Sequence, residues 1–293
     1  MPCDKLVLLT PVIQSPFREL AEEKGERKAG YSRYLDLRNT LFELPVRLYC
    51  GGIHNGINKL QFDGVAHLGL KRTREIVKMI CGNAPTIRIS RIDWCVDILG
   101  ISVVDLAHYC RMKHAQSCRF IKSRSGTSVY ARYSGPVKIL MYDRVACLRA
   151  IRDPLAKHYG LRDALTRVEV QLRGKGIPFR NFQEIERFAE TDLLSGLTIW
   201  KFGRKREGLT VPESLAAEGL LDKIEAYGLQ AASKMYSAQT WDYLSKKFLV
   251  PASESKFPDL NRLMRRTIRD WLENRIRFPR LPERVQPGKE RSS

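Results

Sequence analysis

The chain has 293 residues, 43% of them hydrophobic, enough to bury one large core or two. Lysine and arginine outnumber aspartate and glutamate by 51 to 32, a formal net charge of +19, which favours a polyanionic partner: nucleic acid first, an anionic membrane surface second. Seven cysteines with no Cys-x-x-Cys pair exclude a zinc ribbon and a thioredoxin-type redox motif, and read as buried, reduced thiols of a cytoplasmic protein.

In chain order, Lys5 to Thr10 is predicted as a strand rather than a signal peptide, since Asp4 precedes it and no small-residue cleavage site follows. Phe17 to Lys28 is a short helix or loop. Leu44 to Cys50 alternates as a strand, with Pro45 suited to an edge position. Lys59 to Phe62 is a further strand and Lys71 to Cys81 a helix, with a break at Gly82-Asn83-Ala84-Pro85. Val103 to Met112 is helical in pattern, and Lys122 to Gly126 is a basic loop. Ser128 to Tyr133 and Val137 to Tyr142 form a hairpin around Ser134-Gly135-Pro136, followed by a helix from Val145 to Tyr159. Beyond Asn181 the pattern turns to helices at Phe182 to Leu194, Glu213 to Tyr227, Ala231 to Phe248 and Leu260 to Ile276. No apolar run is long enough to span a bilayer, so no membrane segment is expected.

Two strands share one design. In Arg88 to Leu99, Ile92, Trp94, Val96 and Ile98 make an apolar face, while Arg91, Asp93, Cys95 and Asp97 make the other. In Thr166 to Arg173, Val168, Val170 and Leu172 oppose Arg167, Glu169, Gln171 and Arg173. A parallel or mixed sheet would bring both polar faces beside Tyr142 and Lys138. Carboxylates gathered on one surface repel unless a cation lies between them, and oxygen ligands suit Mg²⁺ or Mn²⁺. A phenol with a pKa of about 10 is a weak nucleophile, and a nearby cation would favour its phenolate. A metal, a tyrosine and a very basic chain together point to phosphoryl transfer with DNA. The five histidines never occur as His-hydrophobic-His, so a two-histidine metal site is not visible. A tyrosine packed at a rim and carboxylates in surface ion pairs are the plainer readings of the same residues.

Three segments in this order resemble the Rep_trans-type rolling-circle replication initiators, also called replication initiation factors in filamentous phages. They are Arg91-Ile92-Asp93 with Asp97; Tyr130 with Ile139-Leu140-Met141-Tyr142-Asp143-Arg144; and Arg167-Val168-Glu169-Val170-Gln171-Leu172. Lys59 to Gly64 resembles the strand before the linking helix of that family. The resemblance spans about residues 57 to 175, with Gln61 where relatives carry an acid and Arg144 in place of lysine. It implies that Tyr142 is the nicking tyrosine and that Asp93 and Glu169 are the metal-site carboxylates. From the polar faces of their strands, Arg91 and Lys138 join the catalytic candidates and Asp97 the metal candidates. Arg144, Arg167, Arg204, Lys205, Arg206, Arg265, Arg266 and Arg269 are the expected DNA-binding residues.

The expected architecture is α+β: a sheet-based nicking domain with flanking helices over residues 1–180, a basic helical region over 181–277, and a disordered tail over 278–293. The expected activity is cutting one strand at an origin, leaving a 5′-phosphotyrosine and a primer 3′-hydroxyl. A conjugative relaxase of the same family and a non-catalytic DNA-binding regulator are the alternatives. Single-stranded or cruciform origin DNA is the expected partner of a plasmid or phage initiator, with a host helicase, a polymerase and a second copy of the chain as further ones.

Overall fold

A computed structural model of the protein describes residues 3–53, 56–84, 86–112, 119–123, 126–132, 135–152, 164–202, 209–251 and 259–275. The apolar alternation that runs through the N-terminal strands assembles them into one ten-stranded sheet. Its strands are β1 (Cys3–Thr10), β2 (Glu26–Lys28), β3 (Tyr31–Asp36), β4 (Val46–Gly52), β5 (Asn58–Asp63), β6 (Arg88–Leu99), β8 (Arg119–Ser123), β9 (Gly126–Arg132), β10 (Val137–Asp143) and β11 (Leu165–Arg173). They lie in the order β2-β3-β4-β5-β1-β6-β11-β10-β9-β8. Every neighbouring pair is antiparallel, not parallel or mixed as the sequence suggested. Antiparallel neighbours need no crossover helix; here some strands join by hairpins, and helices link others, among them the one between β5 and β6, which lie either side of β1.

The twelve-residue β6 sits near the middle, between β1 and β11. On one side of it Ile92, Trp94, Val96 and Ile98 enter a core shared with Leu6, Leu8, Leu48, Leu60 and Phe62. That face is covered by α1 (Ser15–Lys24), α2 (Gly69–Cys81), α3 (Val103–His108), a 3-10 helix (Phe182–Glu190) and α8 (Leu260–Leu272). In α8 the stripe Leu260, Met264, Ile268 and Trp271 is buried, and the Trp271 ring meets Trp94 edge-on with centroids 5.5 Å apart. Trp271 Nε1 donates to the Val65 carbonyl at 3.0 Å. Just beyond, Asn274 Oδ1 accepts from the Lys71 amide at 2.7 Å. Gly69, at φ +67°, leaves room for that side chain, since a Cβ there would lie 2.6 Å from Asn274 Oδ1. Of the helices beyond residue 180, the 3-10 helix and α8 thus pack into the core of the sheet.

A second cluster joins α5 (Val211–Tyr227), α6 (Leu229–Ala232) and α7 (Ala238–Phe248) through Leu220, Ile224, Leu229, Trp241, Leu244 and Phe248. A small sheet of β13 (Leu249–Pro251), β12 (Leu197–Phe202) and β7 (Cys110–Met112) bridges it to the main core. The helical reading of Val103 to Met112 thus holds only to His108, and the chain then turns into a strand. β4 lies inside the sheet and not at its edge; Pro45 precedes its first residue, so the missing N–H leaves no gap in the ladder. α4 (Arg144–Ala150) is shorter than the helix expected to Tyr159, whose remainder lies mostly outside the described residues. The tail over 278–293 lies outside them too.

Candidate active site

Alternation puts Asp93, Cys95 and Asp97 on the face of β6 opposite Trp94, and pairing with β11 aligns them with the polar face of that strand. Gln171 stands opposite Asp93, Glu169 opposite Cys95 and Arg167 opposite Asp97. From the other side of β11, Tyr142 of β10 stands opposite Arg167, and Lys138 opposite Gln171. Asp93 and Glu169 therefore lie on neighbouring strands and face one surface, as the matched alternation of their strands predicted. Tyr130 of β9 reaches the same surface through its pairing with Leu140. Tyr133 lies outside the described residues.

The chemistry of this surface is set by burial. Asp93 is 2% exposed, Glu169 6% and Arg167 0%. Arg91 closes on Asp93 with Nε at 2.9 and 3.0 Å from the two oxygens and a terminal nitrogen at 2.5 Å. Arg167 takes both oxygens of Asp97, at 2.6 and 2.8 Å, and turns its remaining nitrogen to Asp4 at 3.2 Å. Glu169 accepts from Gln171 at 2.8 Å on one oxygen and from the Tyr142 hydroxyl at 3.3 Å on the other.

These contacts sort the carboxylates. The Arg167 guanidinium outweighs desolvation at Asp97 and holds its carboxyl at about 2. Burial wins at Asp93, pushing its pKa up against the pull of Arg91. Glu169 is also pushed up, by burial first and by the charge of Asp93 further, against its Gln171 hydrogen bond. Burial raises Tyr142 as well; Arg167 and Arg144 pull down, but the negative charges of Glu169 and Asp4 add to the rise. The phenol is thus held protonated, contrary to the expectation that a neighbouring cation would favour the phenolate. The guanidinium opposite it, Arg167, is taken up by Asp97 and Asp4.

Two assignments made from the sequence change. Arg167 is a buried strut under the sheet face, not a residue presented to DNA, because two carboxylates compensate a charge that water cannot reach. Asp97 has both oxygens on that fully buried guanidinium and is committed to it. Asp93 likewise has both oxygens on Arg91, but Arg91 is partly exposed, so a cation at Asp93 has to displace it. Asp93 and Glu169 remain as two buried acids whose charges oppose each other. Such a pair suits a hard cation that keeps its waters and binds substrate phosphate, as Mg²⁺ does. Among the described residues no three His, Cys, Asp or Glu side chains cluster as a complete protein-only ligand set.

Arg144 begins α4 directly after β10 and is half-buried. Arg265, Arg266 and Arg269 are exposed on α8 and share a groove with Arg262, Asp270 and Arg275; Arg269 also pairs with Glu190 at 3.3 Å. Because α8 covers the Trp94 side of β6, these arginines and Tyr142 lie on opposite sides of the sheet. Arg204, Lys205 and Arg206 lie outside the described residues.

The sequence reading passed over the other end of the polar face. There the Tyr49 ring touches those of Tyr31 and Tyr34, with centroids 5.3 and 4.9 Å apart, and Lys59 lies over Tyr49 at 3.5 Å. A tyrosine and a lysine at alternate positions of strands that pair, Tyr49 with Lys59, was the signal available.

No protein-family model matches the chain, and no curated protein matches it. Among solved structures it is similar to a rolling circle replication initiator protein from Geobacillus stearothermophilus. That likeness covers 83% of this chain and 94% of that one, at 12% identity and a TM-score of 0.41. A likeness of that size carries no conclusion about this chain's activity. Among the described residues no helix is long and apolar enough to cross a membrane.

Proposed function

We propose that this chain is a replication initiator that cuts one DNA strand with Tyr142 as nucleophile. The observation that carries the reading is the Tyr142 hydroxyl resting on Glu169, beside Asp93, on the polar face of a strongly basic protein. A phenol held neutral needs a proton acceptor at the moment of attack, and Glu169 already stands within hydrogen-bonding distance of its hydroxyl. In the proposed step the Tyr142 oxygen bonds to phosphorus and its proton passes to Glu169. The bond from phosphorus to the 3′-oxygen breaks, and that oxygen leaves as a 3′-hydroxyl with a proton from water. The 5′-phosphate stays on Tyr142, and the free 3′-hydroxyl can prime synthesis.

Asp93 and Glu169 would hold Mg²⁺ or Mn²⁺, which when bound supplies charge neutralisation at the scissile phosphate. Arg91 orients Asp93 through its two-pronged contact. Lys138, on the Tyr142 face of β10, supplies positive charge for the DNA backbone, and Arg144 does so from the start of α4.

The test is a metal-dependent nicking assay on supercoiled DNA carrying the element's own origin. Tyr142→Phe keeps the ring but removes the attacking oxygen, so cleavage should fall on the order of 10⁴-fold or more. The covalent 5′-phosphorylated adduct should vanish while DNA binding survives. A Tyr142→Phe protein that still forms the adduct overturns the assignment and moves attention to Tyr130 or Tyr133.

A further inference from the structure

The polar face does not end at the acidic pair. Across β1 and β5 it continues through Lys5 and Asp63 to β4 and β3, where the tyrosine cluster stands. Tyr49 is 7% exposed and serves as the floor, while Tyr31 and Tyr34 are half-buried and leave part of each ring open. Lys59 lies over both Tyr31 and Tyr49, at 4.9 and 3.5 Å, and Lys28 over Tyr34 at 4.3 Å.

We propose that this cluster is a stacking platform for single-stranded DNA, which holds the strand whose phosphate is presented to Tyr142. The inference rests on the reading above and extends it from the cut to the strand that reaches it. Bases stack on aromatic faces whatever their identity, and lysines interleaved with the rings meet the phosphates between them. The ammonium of Lys59 lies on rings rather than on a carboxylate, and its pKa is lowered by burial and by the like charges of Lys5 and Lys28. An anion would relieve that repulsion. β4 and β10 are separated by β5, β1, β6 and β11, so at about 4.8 Å per strand the platform stands roughly 24 Å from Tyr142. A stacked strand covers that span in about seven nucleotides. A duplex presents no open base faces to such rings, so the platform selects melted DNA.

Two measurements test this on the full chain, in buffer without divalent metal so that no cutting intervenes. The first is fluorescence anisotropy with a 20-nucleotide oligothymidylate. Tyr34→Leu should weaken binding about tenfold, since one stacked base is worth about 1–3 kcal/mol. Lys59→Gln should lower the salt slope by about 0.7, the single-strand value for one phosphate. The second uses the unmodified protein: a 5-iododeoxyuridine oligonucleotide is irradiated and the crosslinked peptides are identified. Adducts on the peptides bearing Tyr31, Tyr34 or Tyr49 support the platform. Adducts confined to α8 or to other peptides, or unchanged binding by folded Tyr34→Leu and Lys59→Gln proteins, overturn it. A Tyr142→Phe protein that still nicks would sink the proposed nucleophile while leaving both of these readouts intact.

Discussion

The two faces of β6 hold the protein together by different physics. On the Trp94 face the packing is apolar, and its strength scales with area removed from water. On the Asp93 face, side chains of opposite charge are buried against each other, and each pair offsets a desolvation cost that either partner alone would bear in full. A deletion on the first face costs in proportion to the volume it empties, and one on the second in proportion to the charge it leaves without a partner.

The largest stability effect should come from the apolar side. Trp271→Ala empties a fully buried site against Trp94 and should cost about 3–5 kcal/mol in urea unfolding. A cost below about 1 kcal/mol would mean that α8 does not hold the sheet. On the polar side, Asp97→Asn leaves Arg167 buried with Asp4 as its remaining carboxylate and should cost about 3 kcal/mol. Replacing both members, Arg167→Met with Asp97→Leu, should recover much of that loss; a double variant as unstable as the single one would show that the pair is not the source. Acid titration isolates the same pair. Asp97 sits at about 2 when folded, against about 3.9 unfolded, so its contribution is present above pH ~4 and is lost as pH falls towards 2. The wild type should lose about 2 kcal/mol more than Asp97→Asn over that window. The smallest effect on the fold should come from Arg265→Gln, Arg266→Gln and Arg269→Gln together, within about 0.5 kcal/mol. Their effect should appear in binding, as a salt slope on unrelated duplex DNA reduced by up to about 2.7. An unchanged slope would leave α8 as a solvated surface.

The apolar face was readable from the sequence because period-two and period-3.6 patterns report burial directly: Ile92, Trp94 and Val96 in β6, and Leu260, Met264 and Ile268 in α8. The common face of Asp93, Glu169 and Tyr142 followed from the same alternation. What escaped is what alternation does not encode. β3 brings Tyr31 and Tyr34, three residues apart, against the same Tyr49 ring, which a period of two does not foresee, and it shows no hydrophobic period. β12 and β13 are short strands that acquire their conformation from pairing. The fate of Arg167 turned on register, since only its position opposite Asp97 makes it a buried strut.

The contact between Trp271 and Trp94 also sets an order of events during synthesis. β11 completes its pairing with β6 once residue 173 has emerged, but the helix that caps Trp94 begins at Leu260. At about 5–20 residues per second that interval lasts roughly 5–20 s, during which the part of the apolar face that α8 covers stays open beside α1, α2, α3 and the 3-10 helix. A nascent chain arrested between those points would be a natural client for chaperones. The last turn of α8 therefore acts as a latch on the birth of the molecule as much as on its finished form.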